Sequence, residues 1–313
     1  MLTKIRNRAL FAVFLAAAYA DAANAQSFPG ARAAGMAGAF VAVADDASAV
    51  YWNPAGVATG SFVSAVIDYG RWRPLPKPGQ LIENKWDTNA FVGLSATAVG
   101  LAYYRLGAYG KGAVEPAVTG SQSREEVRRS VHGLTTSTVG VSLVQSLTEH
   151  LVVGATPKFI RGEGSNTFDV DAGAMLWMNR FRVGLVARNL TTPEFDREGT
   201  GPIALAREVT LGAAWGSGWT GVSRVIVSVD GDVTSRPSPN GDRRDVAGGV
   251  ETWWKNQRLG LRGGLRRSTI GDARAAVAAG ISAGLTPGML LEAHVVRGHS
   301  DERSWSIGAR VFF

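Results

Sequence analysis

GARAAGMAGAFVAVADDASAVYWNPAGVA, running from Gly30 to Ala58, is the stretch whose reading decides the fold. From Ala33 to Ala44 it holds only Ala, Gly, Val, Met36 and Phe40, and Asp45-Asp46 then interrupts the uncharged run. Asn53-Pro54 is a helix-start signal. An Asn side chain accepts from the orphan N–H groups of a first turn, and Pro at the first helical position gives up no hydrogen bond. The composition predicts two or three short helices with a kink, small-faced enough for other backbone to come close. Nearly everything after it alternates with period two. A small-residue knot followed only by strands predicts a plug with a barrel built around it.

Working outward, alternating segments fall at 61–73, 86–95, 97–108, 131–146, 150–161, 167–177, 181–190, 206–216, 222–232, 243–253, 257–267, 272–284, 288–298 and 303–313. That makes fourteen strands, an even number as in bacterial outer-membrane barrels. Tight turns alternate with longer polar loops at 74–85, 109–130, 191–205 and 233–242, as when short turns gather at one barrel end and long loops at the other. The predicted class is therefore an all-β membrane protein. It is an antiparallel transmembrane β-barrel of about fourteen strands with a short helical N-terminal plug in the lumen.

Individual residues assign the faces. In 167–177, Phe168, Val170, Ala172, Ala174 and Leu176 oppose Asp169, Asp171 and Gly173; in 257–267, Leu259, Leu261 and Leu265 oppose Arg258, Arg262 and Arg266. An ionised group facing lipid costs roughly 2–4 kcal/mol at the midplane, so the charged face is the lumen. It carries both signs, among them Asp169, Arg188, Glu251, Arg262, Arg266, Glu292 and Arg310. Cross-strand ion pairing accounts for such a mixture better than a selectivity filter. Folding about Met178-Asn179 sets Asp169 opposite Arg188, and folding about Asp301 sets Glu292 opposite Arg310. Asp45 and Asp46 are expected to find partners among lumenal arginines such as Arg262 or Arg266, since unpaired buried carboxylates are costly.

Residues 1–25 read as a cleaved signal peptide: basic Lys4, Arg6 and Arg8, an apolar run from Ala9 to Ala20, and Ala23-Asn24-Ala25 as cleavage site. The chain then divides into 1–25, a plug at 26–59 and a barrel at 60–313. There is no Cys, hence no disulfide and no thiolate metal site. The formal charge of +7 falls to +5 once Lys4, Arg6 and Arg8 against Asp21 are removed. That excess is spread along the chain, whereas nucleic-acid binding needs a clustered basic patch. The charge cluster at Arg124, Glu125, Glu126, Arg128 and Arg129 reads as a solvated loop. His132, His150, His294 and His299 are scattered, and no nucleophile elbow, phosphate loop or dinucleotide fingerprint occurs. His294 with Ser306 lacks a third partner. The expectation is no enzyme, no metal and no cofactor.

The stretch quoted at the outset resembles the amino-terminal signature of the FadL superfamily of outer-membrane proteins, including its PorV/PorQ-like branch. VGLVARNLTTPEF and VAGGVETWW…LGLRGG also resemble the shorter PorV/PorQ-like proteins. The resemblance implies a hatch inside a barrel, with Gly35, Gly38, Asp45, Asp46, Asn53, Pro54, Ala55 and Gly56 as hatch and gate residues. The C-terminal alternation of Trp305, Ile307, Val311 and Phe313 resembles the signal read by the barrel-assembly machinery. The location implied is the outer membrane of a Gram-negative bacterium, in contact with its lipid. Two functions follow from the resemblance. The first is passive transport of small hydrophobic molecules through a plugged barrel. The second is a PorV-like, non-enzymatic role as partner or scaffold for secreted or surface proteins. The outer loops read as brief and polar, with no apolar loop to build a lipid pocket.

Overall fold

A computed structural model describes residues 28–73, 86–112, 131–162, 164–196, 202–218, 223–238, 241–255, 257–271, 275–298 and 303–313. The signal segment 1–25, the loop cluster Arg124–Arg129 and His299 lie outside the described residues.

Alternation builds the wall. The strands are β1 (Val63–Trp72), β2 (Asp87–Ala96), β3 (Val99–Gly112), β4 (Val131–Ser146), β5 (Leu151–Gly162), β6 (Ser165–Met178) and β7 (Phe181–Arg188). Next come a two-stranded flap, β8 (Glu194–Phe195) and β9 (Ile203–Ala204), then β10 (Glu208–Gly216), β11 (Ser223–Asp232), β12 (Asp245–Trp254) and β13 (Leu259–Ser268). Last are β14 (Ala275–Thr286), β15 (Met289–Gly298) and β16 (Arg303–Phe312). Successive strands pair antiparallel, β7 pairs with β10, and β1 pairs with β16, so fourteen strands close a ring. Closure leaves no free sheet edge in the wall, as a membrane-spanning sheet requires.

Ile67, Val92, Leu94, Leu143, Phe168, Leu185, Val295 and Ile307 point outward and are exposed, an apolar belt fit for lipid. Trp305 and Phe313 belong to the same face. The opposite positions hold charge and are buried. Asp169, Arg188, Glu251, Arg262, Arg266, Glu292 and Arg310 all point inward. Arg258 departs from its expected face because it sits exposed in the turn before β13 rather than on the strand.

Both hairpin registers differ from expectation by two residues. β6 and β7 turn through Asn179-Arg180, with Met178 opposite Phe181 and Asn179 at φ 55. Extending that register places Asp171, not Asp169, across from Arg188; Asp169 lies opposite Lys158 of β5. On β15 and β16, Glu292 faces Gly308 and Arg310 faces Leu290. Moving a turn's centre by one residue moves the register by two and keeps every side chain on its face. Alternation alone therefore cannot see the error.

The flap was expected to be plain loop. It leaves the wall between β7 and β10, and Ile203 and Ala204 pair with Gly112 and Lys111 of β3 on another part of the rim. Phe195 and Ile203 are fully buried against Leu134, Ile160 and Leu205. This burial of apolar side chains, roughly 1.5–3 kcal/mol each, holds the crossing in place.

Inside the ring lie two short helices, α1 (Ala31–Gly35) and α2 (Ala49–Trp52), and a 3₁₀ turn over Pro54–Thr59. These elements and the residues around and between them form the main core. Phe28, Met36, Phe40, Val50 and Trp52 pack with Phe91, Tyr104 and Leu106 of the wall.

Candidate functional site

The inner segment fits because the wall makes room for it at three cross-strand glycine pairs. Gly249 opposite Gly264 receives Met36, Gly184 opposite Gly212 receives Val41 and Ala42, and Gly154 opposite Gly173 receives Asn53 and Pro54. A Cβ at Gly264 would stand 2.3 Å from the Met36 carbonyl carbon, and one at Gly173 would stand 2.1 Å from Asn53 Oδ1. Side chains there are excluded by close approach of backbone, not by backbone conformation. Gly35 plays the converse part, bringing α1 against the Arg262 side chain and Gly280. Gly38 instead packs on Phe28 with φ +86. Gly173→Ala is expected to cost about 1–3 kcal/mol of docking stability through overpacking. Urea-dependent exposure of the segment measures it, and an unchanged midpoint would count against this contact.

Polar contacts fix the same bends. Fully buried Asn53 caps the 3₁₀ turn by accepting from the Ala55 N–H at 3.2 Å, with Pro54 at its first position. Its Nδ2 donates to the carbonyls of Val41 at 3.0 Å and Ala174 of β6 at 3.1 Å. One side chain thus ties the two halves of the segment to each other and to the wall. Asp230 of β11 accepts from the N–H groups of Phe40 and Val41, both at 2.7 Å. Ala55 and Gly56 are buried, and a Cβ at Gly56 would lie 2.2 Å from the Ala44 carbonyl oxygen.

The charges form a balanced lock. Arg32 of α1 donates to both Glu251 carboxylate oxygens at 2.8 Å, to Asp45 at 2.5 Å and to Asp46 at 3.2 Å. Arg262 reaches Glu251 at 3.2 Å and Glu292 at 3.5 Å; Arg310 reaches Glu292 at 3.0 Å and Asp46 at 3.5 Å. Arg182 stands 3.6 Å from Asp45. Four guanidinium groups therefore meet four carboxylates. Asp45 and Asp46 do draw on lumenal arginines, but on Arg182 and Arg310 rather than Arg262 or Arg266, and their nearest partner is Arg32, which α1 carries between them and the wall. Arg266 faces Asp245 at 3.7 Å. Glu292 and Arg310 do meet, though diagonally across the ladder.

Burial pushes the Asp45 carboxyl up, but the Arg32 and Arg182 guanidinium groups outweigh it and hold it below its ordinary value of 3.8. A carboxylate depressed on docking contributes stability above the undocked value and loses it as pH falls through the docked one. Acidification below pH 3.8 should therefore loosen the segment. Asp45→Asn should flatten that dependence. A segment released equally in both proteins would contradict the assignment.

The lumen also contains Asp68, Ser306 and His294. Ser306 Oγ bonds Asp68 at 2.7 Å and His294 Nδ1 at 2.8 Å. A nucleophilic relay needs the imidazole between serine and carboxylate. Here the hydroxyl lies between them, which is a structural bridge. Lys158 fills the gap between Asp169 at 2.9 Å and Asp171 at 2.7 Å, so that one ammonium is shared by the two carboxylates.

Open spaces flank the segment. On the loop side, above Tyr51, lies a cavity of about 100 Å³. Trp72, Tyr104, Tyr109, Leu106, Ile160 and Leu205 give it an aromatic and aliphatic lining, beside Lys158, Arg188, Glu208 and Arg236. The ionic wall is largely self-paired, since Arg236 bonds Asp232 at 2.8 Å and Asp245 at 2.9 Å, and Arg188 lies 4.7 Å over the Tyr51 ring. Leu205, packed with Phe195 and Ile203, supplies the apolar loop that the sequence did not reveal. At the Phe313 end, a second cavity of about 240 Å³ opens under Arg32, Asp45 and Asp46. Arg32 and Tyr51 were both missed as site residues. Arg32 was detectable as the single basic residue between Gly30 and Ala58.

Comparison with known proteins places the fold. The family model described as "F plasmid transfer operon, TraF, protein" matches residues 161–232, a minority of the chain. No curated protein matches the sequence. Among solved structures, the CymD monoaromatic hydrocarbon channel aligns with TM-score 0.61 and 11% identity over 91% of this chain and 97% of that one. The Pseudomonas putida toluene transporter TodX gives 0.58 at 10% identity over 94% and 99%. A Pseudomonas aeruginosa FadL homologue gives 0.55 at 11% identity over 94% and 100%. None of these three supports the PorV/PorQ-like branch. The chain has the closed fourteen-strand barrel fold of FadL-like outer-membrane channels.

Proposed function

We propose that this chain is an outer-membrane channel for small hydrophobic molecules, closed at rest by residues 28–60. The observation that carries the reading is the aromatic and aliphatic cavity inside the barrel, set directly on Tyr51 of the inner segment and walled by Leu205 beside the flap. A site for a small apolar molecule needs an aromatic and aliphatic lining; the charged residues beside it largely pair with one another, and from about 100 Å³ at rest the cavity must widen to take a ring the size of benzene, which needs about 150 Å³. The apolar outer belt supports membrane insertion. The fold shared with a toluene transporter and a monoaromatic hydrocarbon channel supports the same substrate class. No observation favours a scaffold role.

Uptake of radiolabelled toluene by cells expressing the protein tests this. Uptake should exceed that of cells lacking it, and Leu205→Trp, which fills the cavity, should remove most of the gain. Uptake no greater than background, with folded protein present in the outer membrane, would sink the proposal.

A further inference from the structure

We infer that the outside of the barrel wall, at its loop-side rim, binds the phosphate monoester of an outer-leaflet glycolipid, gripped by Arg105 and Arg161 across Ser137. Register puts these three side chains in one row. Arg105 of β3 is opposite Ser137 of β4, and Ser137 is opposite Arg161 of β5. Adjacent strands lie about 4.8 Å apart, so the two arginines start roughly 10 Å from each other and can converge over the serine. Both are exposed, and among the described residues neither takes part in a hydrogen bond or an ion pair. They also stand where the paired wall ends on the loop side. Ala90 with Arg105 is the last pair of β2 and β3, and Thr136 with Gly162, one step past Ser137 with Arg161, is the last of β4 and β5.

An apolar tier lies directly beneath the row. Tyr103 faces Val139, Val139 faces Phe159, and Phe159 faces Phe168, whose ring meets it edge-on at 5.1 Å between centroids. All four are exposed on the lipid face, a surface for acyl chains under a polar clamp. A guanidinium facing hydrocarbon is costly at the midplane, and the cost falls away toward the interface, where lipid head groups begin. A phosphate monoester carries nearly two charges and three acceptor oxygens. Two guanidinium forks with a hydroxyl between them match it in charge and in donors. A phosphodiester, with one charge, uses only half of that clamp. The sign of the outward charge points the same way. Among the described residues, the exposed charged side chains of the wall strands are Arg71, Arg105, Arg161, Arg267, Arg297 and Arg303, all basic and all toward the loop end. The long-loop end of an outer-membrane barrel is its external end, so the leaflet met there is the outer one. That step rests on the outer-membrane location, not on any solute passing through the lumen.

Native mass spectrometry of the full chain in a non-ionic detergent tests the site without a transport step, so its failure would leave the proposed channel function untouched. Diphosphoryl lipid A should be retained as a one-to-one adduct, and lipid A stripped of its phosphates should be retained roughly tenfold more weakly or worse. Phosphatidylglycerol, a phosphodiester, should not displace it at equal concentration. Arg105→Gln and Arg161→Gln should each reduce the adduct roughly tenfold, whereas Arg267→Gln, on the opposite side of the ring, should leave it unchanged. Heat-modifiable mobility checks that each variant is folded. Equal retention of the dephosphorylated lipid, displacement by phosphatidylglycerol, or undiminished lipid A on a folded protein carrying both Arg105→Gln and Arg161→Gln would overturn the site.

Discussion

Replacing Glu251 by alanine is expected to weaken docking of the inner segment by about 3–5 kcal/mol, the usual result of stripping one partner from a buried charge network. Glu251 is fully buried and takes both donors of Arg32 at 2.8 Å as well as Arg262 Nε at 3.2 Å. Its removal leaves two guanidinium groups in the lumen short of a counter-charge, with Arg32 sharing Asp45 and Asp46 with Arg182 and Arg310. The barrel ladder does not depend on these side chains, because its strands are held by backbone pairing on both edges. The loss should therefore appear as release of the segment, not as unfolding of the wall. The chain has no cysteine, so Ala39→Cys supplies a clean reporter at a fully buried position. Thiol labelling of that reporter should begin at lower urea in the Glu251→Ala protein, while the heat-modifiable mobility of the barrel persists. Removing Arg32 as well should recover part of the loss, since the two side chains act as one unit. Identical labelling curves with and without Glu251 would mean that the lock contributes nothing to docking.

Much of this was legible in the sequence, and the errors have physical causes. Period-two alternation specifies which face a residue takes, so the inward charges and outward apolar residues were readable strand by strand. It does not specify where a hairpin turns, and so Asp169 was set opposite Arg188 when Asp171 takes that place. The glycine pairs were in plain view at Gly154 and Gly173, or Gly249 and Gly264, but their purpose shows only when the register sets each pair under a bend of the inner segment. The flap escaped notice because two residues per strand are too few to show a period. Its burial comes from Phe195, Ile203 and Leu205 meeting wall residues far away in sequence. The partners of Asp45 and Asp46 were misassigned for a related reason. The wall holds most of the inward arginines, whereas the first cation within reach sits in α1 of the same segment.

On the proposed reading, residues 28–60 close the barrel. Fourteen strands enclose a lumen too wide for wall side chains alone to fill, and in this chain the space is filled by Met36, Phe40, Val50, Trp52 and their neighbours, all nearly solvent-free. Deleting residues 28–60 removes these together with Arg32, Asp45 and Asp46. It leaves Glu251, Arg262, Glu292 and Arg310 to line an aqueous path, a state that hydrated charges tolerate. The deletion protein should still fold, because every strand keeps both neighbours, and its heat-modifiable mobility checks that point. Single-channel conductance in planar bilayers is the most direct measurement. The intact protein should stay close to the baseline, and the deletion protein should show steady openings of a size expected for a wide, water-filled barrel. Equal conductance in the two proteins, with the deletion variant demonstrably folded, would contradict the account.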